Sequence, residues 1–267
     1  MNFDPLSQDP PFDREHPPRN LPVQIVSAGA LMNGLLLLAQ GQGAHPTLII
    51  LHGFPGNERN FDLAHHARRA GWHTLIFHYR GAWGSGGVFS YTHVLEDTRA
   101  ALAFVRARPD VDQTCIALAG HSMGGWAALL TAAADAQIRG TAGFAAWNIG
   151  AFVEKLAPEQ HEEALRWIAN SCAPLRPESP RALFDEAQTH AQAWDLRRLS
   201  LGGRSVLLVA GAEDDDTPDV LHHLPLLRAY HDARLTAATL DNADHAFSGQ
   251  RLELARLLLR WLETLRV

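Results

Sequence analysis

A serine set among glycines, Gly120-His121-Ser122-Met123-Gly124 with Gly125 behind it, joins an apolar run to an Ala-rich one. Residues 114–119 before it read as a buried strand, and residues 123–134 after it as a helix. A serine on so tight a strand-to-helix turn is held in strained backbone geometry, with its hydroxyl pushed outward. Glycines are needed beside it because side chains there would strike the neighbouring strand and helix. The helix behind offers backbone N–H groups and the positive end of its dipole to a developing oxyanion. The junction therefore predicts a layered α/β domain with an activated serine. A serine that only caps the helix is the plainer alternative, and the glycines on both sides weigh against it.

The rest of the chain keeps the same rhythm. Residues 23–27 and 31–39, separated by Ala28-Gly29-Ala30, read as two antiparallel strands. Residues 47–51, 74–79, 141–147, 204–210 and 234–240 read as further strands. Helical spacing covers 60–70, stopping at Gly71, then 94–106, a stretch near 219–230, and 252–265. This alternation predicts an α/β fold: a mostly parallel central sheet of about eight strands, flanked by helices on both faces. The chain of 267 residues suits one such domain, placed at 21–267. Residues 1–20, with Pro at 5, 10, 11, 17 and 18, read as a flexible N-terminal arm. Residues 151–199 break the rhythm with helical patches, Trp167, Trp194 and four prolines. They read as a small helical cap inserted over the sheet's C-terminal edge. A long decorated crossover without a role at the site is the alternative.

Charge narrows the partners. Lys and Arg number 23 against 29 Asp and Glu, a formal net charge of -6. A chain without a positive excess gains nothing from counterion release, so nucleic acid is not expected as a partner. The N-terminus lacks the basic and apolar regions of a signal peptide, and the apolar runs are too short to span a bilayer. A soluble, cytoplasmic protein without a membrane partner is expected. Cys115 sits in an apolar run and reads as a buried small side chain, and no disulfide with Cys172 is expected.

His52-Gly53-Phe54-Pro55-Gly56 follows the strand at 47–51. Acyl transfer needs two N–H donors for its oxyanion, one from the residue after the nucleophile and one from a loop after an earlier strand. Met123 takes the first place and Phe54 the second, because the glycines let the backbone approach closely. His52 is expected to brace this loop.

With these motifs the chain resembles the α/β-hydrolase family, from about residue 23 to its C-terminus. Within that family it is similar to bacterial single-domain esterases and to the catalytic domains of prolyl-oligopeptidase-like peptidases. Tyr79-Arg80-Gly81-Ala82-Trp83-Gly84-Ser85-Gly86-Gly87 is similar to an Arg-Gly loop that many members carry after their fourth strand. The resemblance implies a structural Arg80. The loop does not match the phosphate-binding G-x-G-x-x-G pattern, since position 89 is Phe. The family orders its triad Ser, acid, His. Gly211-Ala212-Glu213-Asp214, with Pro218 four residues on, resembles its Gly-x-x-Asp loop and implies Asp214 as the acid. His245 stands in the loop before the last helix, where the family keeps its base. Serine is a poor nucleophile until a histidine takes its proton, and the histidine needs a carboxylate to fix its tautomer.

Asp215 and Asp216 are expected to face solvent or cap a helix beginning near Thr217. Asp241 and Asp244 lie on the histidine's own loop and are less suited to brace it. The remaining histidines, out of 15 in all, carry no metal pattern. The pairs His65-His66 and His222-His223 are adjacent and diverge on a helix, and His161-Glu162-Glu163 lacks a second His. Neither a metal nor a cofactor is expected. His121 is expected to pack beside the serine, with a hydrogen-bonding role as the alternative. Trp147, Phe152 and Trp167, with Phe54 and Met123, would wall an apolar substrate cleft, unless the tryptophans are plain core. No Arg or Lys is placed to hold a carboxylate or phosphate. The resemblance implies a serine hydrolase cleaving small-molecule carboxylic esters of small to medium acyl chain. A serine peptidase, amidase or thioesterase would leave the same motifs. A non-enzymatic ligand-binding protein of this fold is a further alternative, and three readable triad members weigh against it.

Overall fold

Leu48-Ile49-Ile50-Leu51 is apolar at every position, which suits a strand covered on both faces rather than one with a wet side. In the computed structural model, which describes residues 3–266, this run lies in β3 (His45–Leu51), inside an eight-stranded sheet. The other strands are β1 (Arg19–Ser27), β2 (Ala30–Leu38), β4 (His73–Phe77), β5 (Val111–His121), β6 (Gly140–Phe144), β7 (Ser205–Gly211) and β8 (Arg234–Leu240). Their spatial order is β1-β2-β4-β3-β5-β6-β7-β8. β1 and β2 pair antiparallel, as do β2 and β4, and every later pair is parallel.

Alternate residues of the central strands feed two cores, as the period of two in a strand requires. Leu48, Ile50, Ala117, Leu207 and Val209 pack on one face with residues of α1 (Phe61–Arg69) and α8 (Arg251–Leu265). Ile49, Leu51, Ile116, Leu118 and Leu208 pack on the other with α2 (Tyr91–Arg106) and α3 (Met123–Ala134). Most of α3 is buried, in keeping with its nearly all-apolar sequence.

Between β6 and β7 the chain forms α4 (Ile149–Lys155), α5 (His161–Ser171) and α6 (Pro180–Thr189). Two buried polar groups anchor this insertion. Asn148 Nδ2 donates to Asp195 Oδ1 at 2.9 Å, and Asn148 Oδ1 accepts from the Leu196 N–H at 3.0 Å. Glu186 of α6 accepts from the Tyr91 and Thr92 N–H groups at 2.9 Å each, capping the start of α2.

Among the expected boundaries that the structure moves, three bear on the architecture. β6 ends at Phe144 rather than at 147, because Ala145 turns the chain with φ 44°. The helix expected near 219–230 is only α7 (Leu224–Ala229) after a turn at 218–223. Pro225 has no N–H to carry a hydrogen-bond ladder across that junction. β1 begins at Arg19, inside the segment read as an arm. Before it, Pro5 accepts from Arg69 Nε at 2.8 Å and Pro11 from Gln40 Nε2 at 2.7 Å. Met1 and Asn2 lie outside the described residues. Cys115 and Cys172 are both free. No helix among the described residues is long and apolar enough to cross a membrane.

Candidate active site

Ser122 sits between β5 and α3 with φ 54° and ψ -120°, a left-handed conformation that a side chain adopts only under constraint. The constraint is close packing. A Cβ on Gly120 would overlap the Gly124 carbonyl, and one on Gly124 would overlap the Leu51 carbonyl of β3. The Ser122 backbone is fixed at both ends. Its N–H donates to Phe144 O at 2.9 Å, and its carbonyl accepts from the Trp147 N–H at 3.1 Å. The residue is 6% exposed and lines a cavity of about 410 Å³. Its hydroxyl has no hydrogen-bond partner among the described residues.

Asp214 and His245 come from the loops after β7 and β8. His245 Nδ1 lies 2.9 Å from Asp214 Oδ2 and 3.1 Å from Oδ1. Thr217 clamps the same carboxylate: its N–H donates to Oδ1 at 2.8 Å and its hydroxyl to Oδ2 at 2.5 Å. The Asp216 N–H donates to Oδ1 at 3.0 Å. Burial works to raise the Asp214 pKa, but the hydrogen bonds and charge of His245, with the bonds from Thr217, hold it at about 2. An ionised carboxylate so held keeps a proton on His245 Nδ1 and leaves the Nε2 lone pair free to accept one. His245 and Ser122 line the same cavity, without a hydrogen bond between them. Asp216 could join Asp214 and His245 as a third ligand atom within 4.8 Å. A metal there would have to break the Asp214–His245 pairing.

Met123 opens α3, so its N–H is among the first-turn amides without an intrahelical acceptor. Neither that amide nor the Phe54 N–H meets an acceptor among the described residues. Gly53, before Phe54, packs so closely that a Cβ there would lie 3.0 Å from Ser122 Cβ. The Phe54 loop is braced from two sides. His52 Nδ1 donates to the Gly53 carbonyl at 2.8 Å, and Trp83 Nε1 donates to Pro55 O at 2.9 Å. Burial drives His52 down to about 3, so it braces as a neutral ring. Arg80 is structural: its Nε meets Asp97 Oδ1 at 2.6 Å and its Nη2 meets Glu96 Oε2 at 2.5 Å.

Trp147, Phe152 and Trp167 all line the cavity with Phe54. Trp167 stacks on Phe54 at 5.6 Å, and Trp147 meets Phe152 at 5.8 Å. Trp194 is instead buried in the core, packed edge-on against Trp126.

A model of the alpha/beta hydrolase family matches residues 48–257. This chain belongs to that family. The alpha/beta hydrolase is also similar in fold to solved structures. Est1E from Butyrivibrio proteoclasticus, solved with ferulic acid bound, has a TM-score of 0.75 at 20% identity, covering 91% of this chain and 98% of that one. The dienelactone hydrolase of Anabaena variabilis has a TM-score of 0.62 at 17% identity, covering 92% and 98%. In sequence, the uncharacterized protein YfhR of Salmonella typhimurium is 34% identical over 85 residues, 32% of this chain and 29% of that protein.

Sequence reasoning on this alpha/beta hydrolase missed Thr217 as a partner of Asp214, although a hydroxyl three residues after an Asp is a common local acceptor–donor pattern. Of the two places expected for Asp215 and Asp216, solvent or the cap of a helix at Thr217, the structure gives the first: no helix begins at Thr217, and both are exposed while lining the cavity. The Tyr91 and Phe184 walls come from α2 and α6, and no local motif marks them.

Proposed function

We propose that this alpha/beta hydrolase cleaves carboxylic esters through an acyl-enzyme on Ser122. The observation that carries the reading is the Asp214–His245 pair, 2.9 Å apart, beside the cavity that also holds the unpartnered Ser122 hydroxyl. His245 Nε2 takes the Ser122 proton as Oγ bonds to the ester carbonyl carbon. The carbonyl oxygen becomes an oxyanion, and the Phe54 and Met123 N–H groups receive it. As the C–O bond breaks, the imidazolium passes its proton to the departing alkoxide and the alcohol leaves. Water then repeats the sequence with His245 as base, releasing the acid and restoring the serine. Asp214 keeps its charge throughout and stabilises the imidazolium.

The apolar, aromatic cavity of about 410 Å³ suits acyl groups of small to medium size, planar aromatic ones included. Ferulic acid bound to the structurally similar Est1E accords with this. The test is hydrolysis of 4-nitrophenyl esters of graded chain length beside 4-nitroanilides of the same acids. Ester turnover that peaks at short to medium chains, with anilides far slower, supports the reading. Anilide turnover matching the esters would make the protein an amidase or peptidase.

A further inference from the structure

The cavity mouth carries charge of one sign. Glu163 on α5 and Asp215 and Asp216 after β7 line it, and none of its lining residues is Lys or Arg. Elsewhere in the molecule acids are commonly neutralised, as Asp97 is by Arg80, Asp135 by Arg106 and Asp195 by Arg197. The three carboxylates at the mouth have no ion-pair or side-chain hydrogen-bond partner among the described residues. Below them stand aromatic faces. Trp167 is 44% exposed, stacks on Phe54, and meets Trp147 edge-on at 5.9 Å. A ring face attracts a cation, and a cleft of one charge sign focuses its field on what enters. At the floor is the Ser122 hydroxyl, nine-tenths buried and unpartnered, facing the same space.

We propose that this mouth selects esters bearing an ammonium group and rejects those bearing a carboxylate or phosphate. The proposal rests on the ester-hydrolase reading for its reaction, while the selection belongs to the cavity itself. A cationic head would lie between Trp167 and the carboxylates while the ester carbonyl reaches Ser122. An anionic head would meet three like charges with no cation to offset them.

The test uses three 4-nitrophenyl esters that share a trimethylene spacer between ester and head group: 4-(trimethylammonio)butanoate, its uncharged carbon analogue 5,5-dimethylhexanoate, and the glutarate monoester. Each kcat/KM is divided by that ester's hydroxide-catalysed rate. The cationic ester should exceed the glutarate monoester by at least about tenfold, and added salt should narrow the gap. In the combined variant E163Q, D215N, D216N the ratio should fall towards one. A second arm needs no turnover: in Ser122→Ala, tryptophan fluorescence should report binding of phenyltrimethylammonium and not of benzoate. Failure of every ester beside preserved selection in this binding arm would sink the esterase reading and leave the selection standing. A wild-type preference for the glutarate monoester, a ratio unmoved in the combined variant, or equal binding of the two aromatic ions would overturn the proposal.

Discussion

His121 Nε2 lies 2.6 Å from the carbonyl oxygen of His245, so the residue beside the proposed nucleophile holds the backbone of the proposed base. A carbonyl can only accept, so the proton sits on Nε2. Burial and the neighbouring His245 push His121 down to about 3, which keeps it neutral at ordinary pH. The two rings are 4.7 Å apart. His121 is thus a positioning residue, and its link ties the loop after β8 to the end of β5.

His121→Phe keeps a ring of similar size and loses the donor. The loop holding His245 should then drift, and misplacement of about 1 Å costs on the order of 10²-fold. Steady-state kinetics on a neutral ester should show this fall in kcat with KM changed far less. An equal rise in KM with kcat preserved would assign His121 to substrate binding instead.

Asp214→Asn should lower kcat by roughly 10³–10⁴, the scale of a histidine held in the wrong tautomer. Asp244→Asn is the comparison on the histidine's own loop. Asp244 Oδ1 accepts from the Ser248 N–H at 2.8 Å, a role Asn can keep, so its effect should stay below about tenfold. A crippled Asp244→Asn beside a near-normal Asp214→Asn would move the acid.

Asp214 also ties stability to acid. Its folded pKa of about 2 lies below the ordinary 3.8, so the unfolded chain takes up the proton first as pH falls. The contribution is fully present above about pH 4 and is lost between about pH 4 and 2. Its size is about 2 kcal/mol. Urea unfolding across that window should show the loss, and Asp214→Asn should flatten this part of the profile. An identical slope in both proteins would contradict the pairing.

Gly124→Ala places a methyl group against the Leu51 carbonyl, and backbone cannot step aside as a side chain can. Overpacking of this kind costs about 1–3 kcal/mol. Calorimetry should show a Tm several degrees lower. An unchanged Tm would mean that β3 and α3 are not so tightly apposed.

What the sequence made legible was local. Gly120 to Gly125 announced the turn at Ser122 because a Cβ on Gly120 or Gly124 would overlap backbone and one on Gly125 would press on Ala146. The strands buried on both faces announced themselves through unbroken apolar runs such as 48–51. The proposed acid was legible only through its likeness to a family loop, since three consecutive Asp residues share one composition and only the fold decides which turns inward. Asp214 does so because Thr217 and the Asp216 N–H fix its carboxylate. The Tyr91 and Phe184 walls were invisible. They meet the cavity through helices far apart in sequence, and an aromatic residue on a helix reads the same whether it lines a cavity or fills a core. The end of β6 at Phe144 was missed because nothing about Ala145 as a residue type signals a positive φ.

The central claim is that Ser122 is an activated nucleophile. Intact-mass spectrometry after brief exposure to a fluorophosphonate tests it most directly, because only an activated serine loses its proton and displaces fluoride at a useful rate. The account predicts one phosphonyl adduct on the native protein, mapped by digestion to Ser122, and none on a folded Ser122→Ala variant. No adduct on the native protein, or an adduct of equal yield on Ser122→Ala, would contradict it.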